Sequence, residues 1–123
     1  MLVGDGPLGA ELHKQADVLG ITDSIVFAGL QTDMYLWMGA ADIFVQCSRT
    51  EGMSNALLEA MATGLPVVTT PVSGSKALVS ASNAGIVISA SVGTDLAAAI
   101  RKLALDADLR ASMGRAARAT VVD

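Results

Sequence analysis

Short apolar runs alternate along the chain with longer segments in which apolar positions recur every three or four residues. The short runs predict β-strands at residues 1–4, 24–29, 42–47, 65–70 and 85–89. The longer segments predict helices at residues 8–20, within 33–41, from 54 or 55 to 64, at 94–105 and at 107–121. Thr94 is the predicted N-terminal cap of the helix at 94–105, and residues 76–81 are predicted to form only a helical turn. Strands that alternate with helices over short connections predict one α/β domain over residues 1–123, with a mostly parallel sheet.

The loop after the third strand is the strongest candidate for a binding site. In open parallel sheets, ligands bind beyond the carboxyl ends of the strands, which is where this loop lies. It is polar, and it leads into a helix that begins near Ser54 or Asn55, two residue types that cap helices well. The free N–H groups and positive dipole end of such a helix suit a phosphate, and Gly52 would let a ligand approach the backbone closely.

Two glutamates flank this helix start. Glu51 lies just before it, beside any group attached to the phosphate, and Glu59 lies about one turn inside the helix. A carboxylate would repel the phosphate itself, but it can accept hydrogen bonds from the paired hydroxyls of a ribose, as acidic residues do in dinucleotide folds. Taken alone, however, a Ser- or Asn-capped helix with one glutamate is typical of an ordinary solvated helix. Arg49 and Lys76 are on loops from which they could neutralise a diphosphate.

Composition excludes several other classes of function. The net charge is −4, and the eight basic residues are spread along the chain, which argues against a nucleic-acid surface. One cysteine and one histidine offer no metal cluster, so we expect Cys47 to be a small buried group and His13 to be exposed and structural.

Residues 77–94 are uncharged but rich in Ser, Gly and Asn, so we predict no integral membrane segment. The first residues do not resemble a signal peptide, and the predicted location is cytoplasmic.

The segment EGMSNALLEAMATGLPVVTTPVSG resembles the signature of the retaining nucleotide-sugar glycosyltransferases of group 1, which have the GT-B fold. That family carries two glutamates separated by seven residues in a pattern close to EG(F/M)xxxxLEAMAxGxPVV. The order of other segments is also similar: VGDGPL…EL, VFAGL, AADIFVQCSRTEG, AGIVI and DLAAAIRKL…DADLRASMG. The resemblance therefore runs essentially from Met1 to the end of the chain.

The resemblance implies a Rossmann-like three-layer α/β/α domain, the donor-binding half of a GT-B fold. It implies that Glu51 is the catalytic-site residue that contacts hydroxyls of the transferred sugar. The other implied donor contacts are the amides of Met53 and Ser54 for the sugar, the amides of Asn55 and Ala56 for the diphosphate, Glu59 for the ribose, and the backbone of Leu30 and Gln31 for the nucleobase. The donor substrate would be a nucleotide diphosphate sugar, with no cofactor and no metal.

Several family features are absent or altered. The Arg and Lys segment that neutralises the diphosphate, the domain's first strand and the N-terminal acceptor domain would all precede Met1. Cys47 replaces a usual proline, and Ala77 replaces a frequent glutamate. In a sheet ordered 3-2-1-4-5-6 the first strand is central. We therefore expect the strands at 1–4 and 42–47 to pair directly, or the chain to associate with a second copy or with the missing N-terminal domain.

Three functions remain open from the sequence. The first is the nucleotide-sugar-binding half of a retaining glycosyltransferase, which we expect to be inactive alone because transfer needs a second domain to position the acceptor. The second is a stand-alone nucleotide-binding or interaction module without catalysis. The third is another nucleotide-sugar enzyme of the same fold, such as an epimerase, which fits the Glu51 and Glu59 pattern less well.

Overall fold

The structure is a computed structural model that describes residues 1–50, 53–89 and 92–122. The strands are β1 (Leu2–Val3), β2 (Phe27–Gly29), β3 (Phe44–Gln46), β4 (Val67–Thr69) and β5 (Gly85–Val87). The helices are α1 (Gly9–Val18), α2 (Met34–Gly39), α3 (Asn55–Ala62), α4 (Ser73–Ser82), α5 (Val92–Leu105) and α6 (Ala107–Val122). The chain divides into two compact units, residues 1–34 and 35–123.

The first unit is built on one parallel strand pair. In it β1 runs beside β2, with Leu2 opposite Phe27. A short 3₁₀ turn at Thr22–Ser24 precedes β2, which makes the second strand shorter than the predicted 24–29. Helix α1 buries Ala16, and the imidazole of His13 stacks on the ring of Phe27 with 3.7 Å between ring centroids. His13 is exposed, as the sequence predicted.

The second unit contains a three-stranded parallel sheet in the order β3-β4-β5. Its central strand β4 is buried at all three positions, and its residue Val67 pairs with Phe44 on one side and Gly85 on the other. Because α3 connects β3 to β4 and α4 connects β4 to β5, both helices begin at the carboxyl edge of this sheet. That edge is where ligands bind in open parallel sheets.

Successive residues of β4 point to opposite faces, and each face has its own apolar core. Val67 packs in one cluster with residues of α3, α4 and α6, among them Leu57, Val79 and Ala117. Val68 packs in a second cluster with Ile88 and with α5 residues such as Leu103. Helices therefore cover both faces of the sheet. The predicted α/β fold with parallel strands is confirmed.

Two sequence predictions about local structure are wrong, and a third, the helical turn, is correct in type but too short. Thr94 is not an N-terminal cap, because α5 already begins at Val92. The predicted turn at 76–81 is part of a ten-residue helix, α4, which Val79 anchors in the core. Cys47 is exposed rather than buried, because it lies just beyond the last residue of β3.

The predicted direct pairing of the strands at 1–4 and 42–47 is also wrong. Among the described residues, β1 forms its ladder with β2 and β3 forms its ladder with β4, so the strands belong to two sheets. The alternative, an association with a second copy or with a further domain, stays a prediction.

Candidate functional site at the start of helix α3

Helix α3 begins where its sequence predicts. Ser54 is the N-cap, with extended backbone, and its buried side-chain oxygen accepts a 3.3 Å hydrogen bond from the N–H of Leu57. The carbonyl of Ser54 accepts the first bond of the helix, from the N–H of Leu58. This local chemistry sets the helix start, because a serine oxygen satisfies one of the four N–H groups that have no partner within the helix.

Two backbone donors at this helix start are open. No described residue accepts a hydrogen bond from the N–H groups of Asn55 or Ala56, since Ser54 serves only Leu57. The first turn of α3 contains no acidic residue. Two free N–H groups at the positive end of a helix dipole are the donors that a phosphate group requires.

Glu59 lies on the solvent side of α3, four residues beyond Asn55. Both side chains are exposed, whereas Leu57, Ala60 and Met61 form the buried face. Residues four apart are neighbours on one face of a helix, and Glu59 lies about 6 Å further along the axis than Asn55. No lysine or arginine among the described residues forms an ion pair with Glu59. Its carboxylate is therefore available to a ligand held at the open amides.

The loop before α3 is tied to the end of the neighbouring strand. Thr70, which follows β4, donates from its Oγ1 to the carbonyl oxygen of Ser48 at 2.6 Å. The N–H of Thr70 donates to the carbonyl of Gln46, at the end of β3. These bonds extend the β3–β4 pairing into the loop. No local sequence pattern predicts the bond between Thr70 and Ser48, because these residues are 22 apart in the chain.

The other residues predicted near the sugar are described only in part. Met53 is about half exposed and directly precedes the cap residue Ser54. Glu51 and Gly52 lie outside the described residues. The structure therefore brings Met53, Ser54, Asn55, Ala56 and Glu59 together at one helix start.

Leu30 and Gln31 belong to the first unit, where they follow β2. Gly29 has a positive φ of 64°, a turn conformation that favours glycine, and Leu30 is 80% exposed. The side-chain amide of Gln31 donates to the carbonyl of Ala28 at 2.6 Å. None of the described residues hydrogen-bonds to the backbone N–H or C=O of Leu30 or Gln31. These peptide groups are open to a ligand such as a nucleobase.

Cys47 lies at the carboxyl end of β3, close in sequence to the same loop. Although Cys47 is exposed overall, the part of its thiol that is shielded from water is desolvated, which raises its pKa above the ordinary value of 9.0 because desolvation disfavours the thiolate. Cys47 is therefore a poor nucleophile near neutral pH.

Within residues 1–50, 53–89 and 92–122, no three His, Cys, Asp or Glu side chains lie close enough to hold a metal ion. Over the same residues, no helix combines the length and the apolarity needed to cross a bilayer.

Comparison with known proteins places the chain in a family. The family described as Glycosyl transferases group 1 matches residues 1–106. The chain belongs to this family. A curated member, the lipopolysaccharide core biosynthesis glycosyltransferase LpsE of Rhizobium meliloti, is 33% identical over 121 residues, which cover 98% of this chain and 36% of LpsE.

Solved structures of GT-B glycosyltransferases have the same fold. WaaG, a glycosyltransferase involved in lipopolysaccharide biosynthesis, superposes with a TM-score of 0.87 at 29% identity, covering 97% of this chain and 32% of WaaG. HepE of Anabaena, solved in complex with UDP, superposes with a TM-score of 0.89 at 29% identity, covering 98% of this chain and 35% of HepE. The chain thus spans about a third of the length of these group 1 and GT-B relatives.

Proposed function

We propose that this chain is the nucleotide-sugar-binding part of a retaining glycosyltransferase, which transfers a sugar from a nucleotide diphosphate sugar to an acceptor. The observation that carries the proposal is the start of α3. Two open N–H groups, those of Asn55 and Ala56, lie one helical turn from the exposed, unpaired carboxylate of Glu59. Donors for a phosphate beside an acceptor for hydroxyls are what a nucleoside diphosphate needs.

Each predicted residue has a role in this proposal. The amides of Asn55 and Ala56 hold the diphosphate, and Glu59 accepts hydrogen bonds from the two ribose hydroxyls. Glu51, with the amides of Met53 and Ser54, holds hydroxyls of the transferred sugar. The open peptide groups of Leu30 and Gln31 support a role in binding the nucleobase, which the backbone can recognise without a dedicated side chain.

A UDP sugar is the donor to test first. HepE, which is 29% identical to this chain, has been solved with UDP and with UDP-glucose. Neutralising the diphosphate with protein donors would require no metal. The predicted cytoplasmic location belongs to the same proposal. We expect the chain to bind a donor without transferring its sugar, because transfer also depends on an acceptor positioned at the sugar.

Isothermal titration calorimetry tests this proposal. UDP, GDP and ADP are titrated into the wild-type chain, and UDP and 2′-deoxy-UDP are titrated into Glu59→Ala. We expect UDP to bind the wild type and Glu59→Ala to weaken UDP binding roughly tenfold, since hydrogen bonds to a charged acceptor are strong. The variant should lose much less affinity for 2′-deoxy-UDP, which lacks one of the hydroxyls that Glu59 accepts from.

The control is Glu11→Ala, which removes another exposed carboxylate, from the first turn of α1. It should bind UDP like the wild type. If no nucleotide binds, or if Glu59→Ala binds UDP as well as the wild type does, the proposed donor site is wrong. Failure of all three nucleotides would favour an interaction module.

A further inference from the structure

The end of helix α3 is held by a residue that lies 56 positions further along the chain. Ala62 is the last residue of α3, and its carbonyl oxygen accepts a 2.5 Å hydrogen bond from Nη1 of Arg118, in α6. The other three carbonyls in the last turn of α3 accept from the N–H groups of residues 63–65, just after the helix. Among the described residues, Arg118 is therefore the only hydrogen-bond partner of this helix end that is distant in sequence.

The face of α6 that carries Arg118 packs along α3. Gly114, Ala117 and Arg118 recur at the spacing of one helix face. Ala117 is fully buried in the same apolar cluster as Leu57 of α3. At Gly114 the two backbones meet directly, because a β-carbon there would overlap the carbonyl oxygen of Gly64, just after α3. The end of α3 is thus held by backbone contact and by a hydrogen bond from the same face of α6.

The angle of α3 decides where its open donors lie. Ala62 lies about 10 Å further along the helix axis than Asn55, at about 1.5 Å per residue. A tilt of about 10° around the end of the helix would move its start by about 2 Å. The N–H groups of Asn55 and Ala56 would then miss an acceptor, because such a bond requires a nitrogen–oxygen distance of about 2.7–3.2 Å. Contacts that fix the end of α3 therefore also fix the position of its open amides.

The chemistry of Arg118 suits it to hold this helix end. The carbonyl of Ala62 lies at the negative end of the helix dipole, where a cation is favourable. A hydrogen bond from a charged donor is also roughly twice as strong as one between neutral groups. Arg118 is exposed, and no described carboxylate forms an ion pair with it. Its bond to Ala62 therefore favours one position of α3 against α6 without contributing a side chain to the core.

We propose that Arg118 is a positioning residue, which holds α3 at the angle at which its open amides and the carboxylate of Glu59 meet the donor. Arg118 is at the opposite end of α3 from the proposed ligand, and it acts through the carbonyl of Ala62. This inference rests on the proposed function, since a nucleoside diphosphate is the ligand that α3 would hold. An Arg118 with a merely structural role would change the stability of the chain and leave the geometry of the site as it is.

Four variants separate positioning from stability. Arg118→Met removes the charge and the donor, whereas Arg118→Lys keeps both, which suffices for a single acceptor oxygen. Thr63→Val is the matched control for stability, because it removes a hydroxyl that bonds to the carbonyls of Glu59 and Ala60 at the same end of α3 but not to α6. Arg115→Met removes another exposed arginine of α6. Circular dichroism gives each melting temperature, and binding is measured well below the lowest of them.

Two measurements are made on each variant: calorimetry with UDP, and NMR of the backbone amides in the ligand-free chain. We expect Arg118→Met to weaken UDP binding about three- to tenfold, while Arg118→Lys and both controls stay within about twofold of the wild type. Thr63→Val should melt at a lower temperature than the wild type, because it loses hydrogen bonds. The amide signals of Asn55 and Ala56 should nevertheless shift only in Arg118→Met.

The outcomes separate this inference from the proposed donor site. If Arg118→Met binds UDP like the wild type, or if Thr63→Val weakens UDP binding as much, Arg118 does not position the site, and the donor site still stands where Glu59→Ala loses affinity. If the wild type does not bind UDP, the proposed function is wrong, and the ligand-free NMR signals decide alone. Shifts at Asn55 and Ala56 would then support the link from Arg118 to the start of α3, and unchanged signals would overturn it.

Discussion

The Oγ1 of Thr70 lies 2.6 Å from the carbonyl oxygen of Ser48 and donates a hydrogen bond to it. Thr70 is buried at the end of β4, and Ser48 begins the loop that leads into α3. The bond therefore joins the base of the β4–α4 connection to the base of the β3–α3 connection. The proposed phosphate site at the start of α3 depends on the second of these connections.

We predict that Thr70→Val lowers the free energy of unfolding by about 1–2 kcal/mol, because the carbonyl of Ser48 loses a buried donor. Thr70→Val should also weaken UDP binding, because the hydrogen bond that fixes the loop before α3 to the end of β4 is lost. Urea denaturation and calorimetry measure the two effects. Thr120→Val is the control: it removes a hydroxyl that bonds to Ala116 within α6 and should leave UDP affinity unchanged. Equal UDP affinity for both variants would contradict the role of Thr70.

The cap of α3 gives a second prediction. Ser54→Ala should lower the free energy of unfolding by about 1 kcal/mol, because the N–H of Leu57 loses the oxygen that it donates to. The matched change Thr94→Ala should have a much smaller effect, since Thr94 lies inside α5 and caps nothing. Thermal or urea unfolding compares them. A loss at Thr94 as large as that at Ser54 would mean that the helix starts are wrongly placed.

The start of α3 could be predicted from the sequence because capping is a local interaction between residues three apart. The five strands were found for a similar reason, since each is a short apolar run, as in the buried residues of β4. Helix α4 was predicted as a single turn because its serines and glycine are weak helix formers. It is stabilised by packing of Val79 against Leu57 and Val67, which no local pattern reveals.

The candidate site divides in the same way. Asn55 and Glu59 could be assigned from the motif and from helical spacing. The hydrogen bond between Thr70 and Ser48 could not, because it joins residues that are distant in the sequence. The pairing of β1 with β2 and of β3 with β4 agrees with the strand order predicted from the sequence, whereas the additional pairing of β1 with β3 was wrong, because ladder partners also depend on tertiary structure.

Close packing of two helical segments gives a third prediction. A β-carbon on Gly114, in α6, would overlap the carbonyl oxygen of Gly64, just after α3. We expect Gly114→Ala to destabilise the chain by about 1–3 kcal/mol, because backbone rather than a flexible side chain would have to move. Gly93→Ala in α5 is the control, since its β-carbon meets no atom within 4 Å. Because alanine favours helix over glycine, this control should be neutral or stabilising by about 0.5–1 kcal/mol. Similar losses for both variants would rule out the close contact.

The thiol of Cys47 gives a fourth prediction, which concerns how the stability of the chain changes with pH. Partial burial raises the pKa of this thiol in the folded chain above its ordinary value of 9.0. At a pH between the thiol's pKa in the unfolded chain and its pKa in the folded chain, the folded chain therefore binds more protons than the unfolded chain does. The stabilising contribution is complete below pH 9.0 and is lost as the pH rises through the folded value.

We predict that the wild type loses more stability than Cys47→Ala when the pH is raised from 8 to above 9. Comparing the two chains isolates the contribution of the thiol, because every other residue is the same in both. Urea unfolding at each pH gives the difference in free energy, and the rate of thiol alkylation in the folded wild type, compared with the urea-unfolded chain, gives the thiolate fraction independently. A folded thiol that reacts faster than the unfolded one near pH 8 would show a lowered pKa and contradict the prediction. It would also mean that a reactive thiolate lies at the carboxyl end of β3. A diphosphate bound nearby would then destabilise this thiolate, because both groups are negatively charged.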